Sequence, residues 1–559
     1  MPFALLYIDE RFQAIYRGWW KALLATANPY TGLTIADDPA VAIAELVNED
    51  SCLFWTFTPY KAIPAEVMAQ FEQRFARSLT KPGSSVAEVL AAWGGAPVQG
   101  DDAANGRIGL LPMWDLTQRK DARAQANARF LAELQREFYA GTRDYLREKL
   151  HFRGSVCGSN WITADARLLG PLDKWSVATC DMMDHHGYYG GPHVGSDRVG
   201  YSVNAGERYD DACALRFDPT EAEAKGRSPA LPIMDITYDG KPAIISEIGW
   251  TQPNRFRADM PLIAAAYGAL QGTDGFCFFA TSSRTWDQTI GKFGIHDPAI
   301  MGQFPAAALM YRTGMVAPGD PVVSVHLALA DLFALKGSPV VAAASLDDLR
   351  ARDVPTGATV AAAAVTAIDP LAYLVGRVEV AVGEAAAPAI IADLAKRIDR
   401  AAGVVTSTTA QLAWNHQRGL VTIDTPMAQG ATGFLAQAPI ALGCVRVAAG
   451  FEYGAVVVVA LDGRPLTQSK RMLLQVMSEE SNFGWSAPGT GLRAIASIGG
   501  PPVVVRAFSG SVSLGRADAA ALAVTPLDAN GYPDTSAAGA GHANAITLLP
   551  GTMYYLIGE

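Results

Sequence analysis

Pro242-Ala243-Ile244-Ile245-Ser246-Glu247-Ile248-Gly249-Trp250 and Ala42-Ile43-Ala44-Glu45-Leu46-Val47-Asn48-Glu49 each carry a short apolar run into a carboxylate. Runs of this length, bounded by polar residues, read as buried strands of a parallel sheet. Two barrel strands that each deliver one glutamate to a shared cleft show this layout, because functional side chains of a (β/α) barrel gather at the strand C-termini. Glu49 and Glu247 are therefore the candidate catalytic pair.

Working outward, a helix is expected after Asp9, a good N-cap, with Phe12, Ile15, Tyr16, Trp19, Leu23 and Leu24 on the face that should lie against a sheet, stopping at Asn28-Pro29. Helical periodicity recurs over 64–80, 84–94 and 117–150, a helical insertion after the first strand. Further strands are expected at 154–159, at 175–180 leading into Asp181, at 242–247 and at 275–280, with helices over about 258–270 and 298–312. Helix and strand alternate in this way from 10 to 315. The fold class is thus α/β, a (β/α)8 TIM-type barrel of which only five strands can be counted, followed by C-terminal β-sandwich domains.

The expected division is residues 1–315 for the barrel portion, with the insertion at about 56–150; 316–405 for a linker and small α/β or β module, including a possible helix at 390–402; and 406–559 for a β-sandwich. The Asp462-Gly463 step reads as a hairpin turn. A closed barrel needs three more βα units, which are expected to lie ahead of the first strand and outside this sequence. Without them the sheet edges would expose apolar residues such as Val41, Ile43 and Leu46, so a longer enzyme or a second chain is expected to supply them.

The chain has 559 residues, half of them hydrophobic, enough for two or three domains. Its 45 basic and 55 acidic residues give a net charge of -10, and no basic stripe with interleaved aromatics stands out, which argues against nucleic acid as a partner. The six cysteines, at 52, 157, 180, 213, 277 and 444, lack a Cys-x-x-Cys spacing and read as buried thiols. The N-terminus carries neither a basic n-region nor a cleavage site, and no apolar run approaches membrane-spanning length. A cytoplasmic protein with no membrane partner is expected from the sequence as written, with export possible for a longer form; oligomeric state is not legible.

The pair of glutamates and their neighbours resemble the clan A glycoside hydrolases, (β/α)8 enzymes that act with retention. In that clan the acid/base glutamate follows an asparagine at the end of strand four, matched by Asn48-Glu49, and the nucleophile ends strand seven, matched by Glu247 in Ile245-Ser246-Glu247-Ile248-Gly249-Trp250. Asp184-His185-His186-Gly187-Tyr188-Tyr189 is similar to the motif after strand six, with His186 and Tyr188 in the matching places. Asn28-Pro29-Tyr30-Thr31-Gly32, Asp37-Asp38-Pro39-Ala40, Asp297-Pro298 and Gln303-Phe304-Pro305-Ala306-Ala307-Ala308 look like a bacterial multidomain branch.

The resemblance implies a retaining O-glycoside hydrolase for a β-linked glycoside, with Glu49 as general acid and base, Glu247 as ionised nucleophile and no metal or organic cofactor. The resemblance implies substrate- and carboxylate-positioning roles for His186 and Tyr188; Asn48, Asn160, Trp161, Trp250 and Trp286 are added as candidate substrate-binding residues because they neighbour the glutamates or follow strands, where amides can read sugar hydroxyls and aromatic faces can stack on sugar rings. The usual strand-eight tryptophan is replaced by phenylalanine in Gly275-Phe276-Cys277-Phe278-Phe279-Ala280. Two other readings stand beside this one: a non-catalytic carbohydrate-binding protein on a truncated barrel, and a metal-dependent hydrolase using Asp181, Asp184, His185, His186 and His193.

Overall fold

A computed structural model describes residues 5–195, 202–218, 231–281, 290–341, 368–537 and 539–558. Its first half is an arc of five parallel strands: β1 (Ile43–Val47), β2 (Ser155–Ser159), β3 (Met183–Tyr189), β4 (Ala243–Trp250) and β5 (Gly275–Phe278). They lie side by side in chain order; β2 meets β3 through the parallel bridge Cys157 to Met182, and the other neighbours form regular parallel ladders. Among the described residues the arc does not close into a barrel, so the outer edges of β1 and β5 have no strand partner.

Helices cover the outside of this arc. Helix α1 (Glu10–Ala25) begins where Asp9 accepts the Phe12 N–H at 2.9 Å. Its Trp20 and Leu24 are buried, and the Tyr16 hydroxyl donates to the Leu46 carbonyl on β1 at 2.5 Å. The expected apolar stripe is only half used. Ile15 is 69% and Trp19 55% exposed, because the open edge of β1 leaves that side of the helix with no neighbour.

Within the insertion, helix α2 (Ala65–Leu79) packs on the long helix α3 (Ala122–Glu148), which buries Ala124, Ala128, Leu131, Gln135, Phe138, Tyr139 and Leu146 at helical spacing. The strand expected at 175–180 is instead the end of helix α4 (Gly170–Val177), started by Gly170-Pro171, and the true strand follows it. Helix α5 (Met260–Gln271) is buried on almost every side, and α6 (Phe304–Arg312) packs against it.

Strands β6 (Pro321–Ala328) and β7 (Arg377–Gly383) run parallel and form a four-stranded sheet with 387–391 and the short strand 237–238 from the first half. The helix expected at 390–402 is absent: Ala387–Ile391 is an exposed edge strand, followed by a single 3-10 turn and strand 398–399. Alanine-rich sequence there favours a helix locally, but pairing with β6 prevails.

From 398 onward a nine-stranded antiparallel sheet is backed by a four-stranded one. One of its inner strands, Tyr453–Ala460, is buried throughout. Ala455, Val457 and Val459 join the core shared with the first half, whereas Val456, Val458 and Ala460 face the second sheet. A continuous apolar run therefore reflects cover on both faces rather than one. The Asp462-Gly463 step sits in a ten-residue connection whose Ser469 hydroxyl and Lys470 N–H both donate to the Asp462 carboxylate, not in a two-residue turn.

Asp259 is fully buried at the start of α5, and among the described residues neither carboxyl oxygen has a donor at full hydrogen-bond geometry, Tyr453 and Trp250 being the nearby donors. Burial pushes its carboxyl up to about 7, only partly opposed by Tyr453 and Trp250. The folded chain therefore holds this proton at pH values where the unfolded chain releases it. The group contributes no penalty below about pH 4, and stability falls as pH rises from there to 7. Asp259→Asn should leave the melting midpoint nearly unchanged at pH 4 and raise it at pH 8, by an amount bounded by roughly 4 kcal/mol; thermal melts at both pH values check this.

Candidate active site

The strand ends bring together Glu49, His186 and Glu247. One carboxyl oxygen of each glutamate and one ring nitrogen of His186 all lie within 4.8 Å of one another. His186 Nδ1 is 2.9 Å from Glu49 Oε1 and 3.4 Å from Glu247 Oε2. Its Nε2 is 3.1 Å from the Ser246 hydroxyl. In the neutral tautomer that fits these contacts, Nδ1–H donates to Glu49 and Nε2 accepts from Ser246.

Each strand reaches this arrangement by a local irregularity. The ladder between β3 and β4 pairs His185 with Ile245 and then His186 with Glu247, so Ser246 is an extra residue. Such a bulge re-aims the next side chain, and here it sets Glu247 beside His186. Glu49 follows the end of β1 in the left-handed region, at φ 49°. Asn160 holds that turn from β2: its Oδ1 accepts the Glu49 N–H at 2.8 Å and its Nδ2 donates to Asn48 Oδ1 at 3.0 Å.

The loop after Glu49 is pinned from behind by the insertion. Gln135 of α3 accepts the Cys52 N–H at 2.5 Å and donates to Asp173 of α4, and the Ser51 hydroxyl donates to Asp173 at 2.7 Å. The insertion thus acts as the support on which the Glu49 loop is set.

Burial pushes the Glu247 carboxyl up; His186 and the Tyr188 hydroxyl, which donates to Glu247 Oε2, pull it back, while the facing Glu49 and Asp184 push the same way as burial. Deeper in the arc, Glu45 is pushed up to about 9, first by burial and then by the facing Asp184, and so holds a proton at neutral pH. Asp184 is buried and accepts the Ser246 N–H at 3.0 Å. Asp184 thus holds the Ser246 backbone, the Ser246 hydroxyl meets His186, and His186 is hydrogen-bonded to Glu49 and lies 3.4 Å from Glu247.

Tyr188 and His186 thus stand with the pair, and Asn48 is exposed beside it. Asn160 differs from the sugar-reading role: it is fully buried and both ends of its amide clamp the Asn48-Glu49 turn. Trp161 is 4% exposed and packs edge-on against Phe54. Trp250 is 1% exposed and packs against Tyr189, so its ring braces β4 instead of presenting a face to a ligand. Trp286 lies outside the described residues. In place of a strand-eight tryptophan, Phe279 and Phe293 flank the Tyr188 ring.

The five-residue metal cluster is not assembled. Asp181 binds Arg147 and the Val156 N–H, His185 points away from His186 toward Asp235, and His193 pairs with Glu207 at 2.7 Å. Strand alternation alone separates the adjacent histidines. Glu49, His186 and Glu247 could themselves offer one atom each to a cation. However, the 2.9 Å contact between His186 and Glu49 is a hydrogen bond, closer than the roughly 3.3 Å between neighbouring ligands of a tetrahedral zinc. Glu45 escaped the sequence reading, its one signal being a place four residues before Glu49 in the same apolar run; Asp184 was singled out only as a candidate metal ligand, and Ser246 only as the neighbour of Glu247.

Fold and site together define a mixed α/β protein in which an open parallel sheet gathers two carboxylates and a histidine at its strand ends. Comparison with protein-family models, with curated proteins and with solved structures finds no match for this chain. No described helix is long and apolar enough to cross a membrane.

Proposed function

We propose that this chain carries the catalytic carboxylates of a retaining O-glycoside hydrolase acting on a β-linked glycoside. The observation that carries this reading is the approach of the Glu49 and Glu247 carboxyl oxygens to within 4.8 Å, with His186 between them. Retaining enzymes hold their carboxyl groups about 5–5.5 Å apart, whereas inverting ones need about 6.5–9.5 Å to admit a water. Glu247, ionised with the help of Tyr188, attacks the anomeric carbon; Glu49 protonates the leaving oxygen and then deprotonates the water that frees the sugar.

In the same proposal the five-stranded arc is strands four to eight of a (β/α)8 barrel, completed by three βα units of further polypeptide. The unpaired edges of β1 and β5 and the exposed Ile15 and Trp19 support this. Amides along the outer edge of β1 should exchange freely in this chain and become protected when those units are supplied.

A 2-fluoro glycoside with an activated leaving group tests the function. One covalently bound sugar per chain, seen by intact mass, supports it; saturable sugar binding with no label favours the carbohydrate-binding alternative, which the open arc accommodates. Tyr188→Phe should lower kcat/KM by roughly 10–100-fold, the worth of a hydrogen bond to a charged group. It should also move the acidic limb of the pH profile upward, because a donor that lowers the Glu247 pKa is gone.

A further inference from the structure

A cavity of about 470 Å³ lies where the β-sandwich meets the loops that follow β3, β4 and β5. It lies on the sandwich side of those loops, and neither Glu49 nor Glu247 lines it. One wall is a hairpin of the sandwich, Glu480–Ser486 paired with Ser497–Val505, between whose strands residues 493–494 form a sheet with 208–209 and 193–194. The fold therefore builds this space from two distant parts of the chain.

The chemistry of the lining is specific. Its four carboxylates all face guanidinium groups: Asp211 meets Arg493 at 2.5 Å, Glu479 meets Arg506 at 3.1 Å and Arg255 at 3.4 Å, and the buried Arg257 meets Asp297 at 2.8 Å and Glu480 at 2.6 Å. Charges neutralised in this way offer little net field to an ion, yet they present fixed arrays of donors and acceptors. Trp485, part-buried, packs edge-on against Tyr209 with ring centroids 5.7 Å apart and inclined at 68°; Tyr209 is 4% exposed and carries the Arg493 guanidinium over its ring, so Trp485 is the aromatic side chain left to face the cavity. Gln252 also lines the cavity.

We infer that this cavity is a second binding site, for a short neutral oligosaccharide. Aromatic faces cover the C–H surface of a sugar ring, while amides and pre-paired charges read its hydroxyls. The volume falls in the range of small-ligand pockets, about 300–1,000 Å³, which suits two or three sugar rings rather than an extended polymer. Because Gln252 follows Trp250 on the segment that leaves β4, the site continues directly from the strand that carries Glu247. A glycan seated here would be held on the same face of the arc as the carboxylate pair. The ligand class stands on the lining alone; that the other site also takes sugar rests on the proposed hydrolase function.

Calorimetric titration of the full chain carrying Glu247→Gln, which prevents turnover, tests this with cellotriose, xylotriose and β-1,4-galactotriose as probes. The expected result is that at least one probe binds at two sites per chain and that Trp485→Ala in the same background removes one of them. Gln252→Ala, a milder change in a loop, should weaken that same site about tenfold, and unchanged thermal melts should show that both variants fold. If the hydrolase reading alone fails, the parent binds one equivalent and Trp485→Ala none. The inference is overturned if stoichiometry is the same with and without Trp485, or if no probe binds up to about 10 mM.

Discussion

Glu247→Gln is expected to abolish turnover of aryl β-glycosides, by roughly 10⁴-fold or more in kcat, and to abolish labelling by the 2-fluoro glycoside. The amide is nearly isosteric, so the fold and the contact with Tyr188 survive, but it cannot form the glycosyl ester on which double displacement depends. Losses of this size are typical when one member of a cooperating catalytic set is removed. Unchanged labelling of the variant, measured by intact mass, would remove Glu247 from the nucleophile role. Stability should change little, because the carboxyl is half-buried and burial already works against its charge.

Glu49→Ala is expected to give the second largest effect, and one that depends on the leaving group. Glycosides with alkyl leaving groups need protonation at the departing oxygen and should slow by roughly 10²–10⁴-fold. Dinitrophenyl glycosides do not need it, so their first step should survive and the sugar-enzyme ester should accumulate. Added azide should then restore turnover and yield the β-glycosyl azide, because a small anion can attack without a base. Equal loss for both substrate types, with no azide effect, would assign Glu49 to a structural role. His186 sits between the two carboxylates, so the two variants are expected to couple when combined.

Much of the arc was legible from residues alone. Strands β1, β2, β4 and β5, the Asp9 cap and the long helix α3 follow from short apolar runs, a capping carboxylate and a helical stripe. Strand β3 was misread because Met183–Tyr189 spends its inward positions on Asp184, His186 and Tyr188, so it lacks the apolar texture of a buried strand. The preceding Trp175–Cys180 has that texture, but Trp175–Val177 closes helix α4, which Pro171 starts, and Ala178–Cys180 turns out of it. Local pattern identifies strands through their packing residues, and the strand that carries most of the site has the fewest.

The pair of glutamates was also legible, as strand-end carboxylates, but the groups that position them were not. Asn160 reaches back 112 residues to Asn48, Gln135 reaches 83 residues to Cys52, and Asp184 meets Ser246 across 62. No periodicity records such contacts. The same holds for Trp161 and Trp250: aromatic residues after a strand read equally well as ligand surface or as packing, and burial decides for packing.

The central claim, a double displacement between carboxyls set within 4.8 Å, is tested most directly by proton NMR of the first sugar released from an aryl β-glycoside, recorded before mutarotation. Double displacement predicts the β-anomer first, with the α-anomer appearing only as mutarotation proceeds. Initial release of the α-anomer would mean that a water attacks directly, and would contradict the assignment of Glu247 as nucleophile.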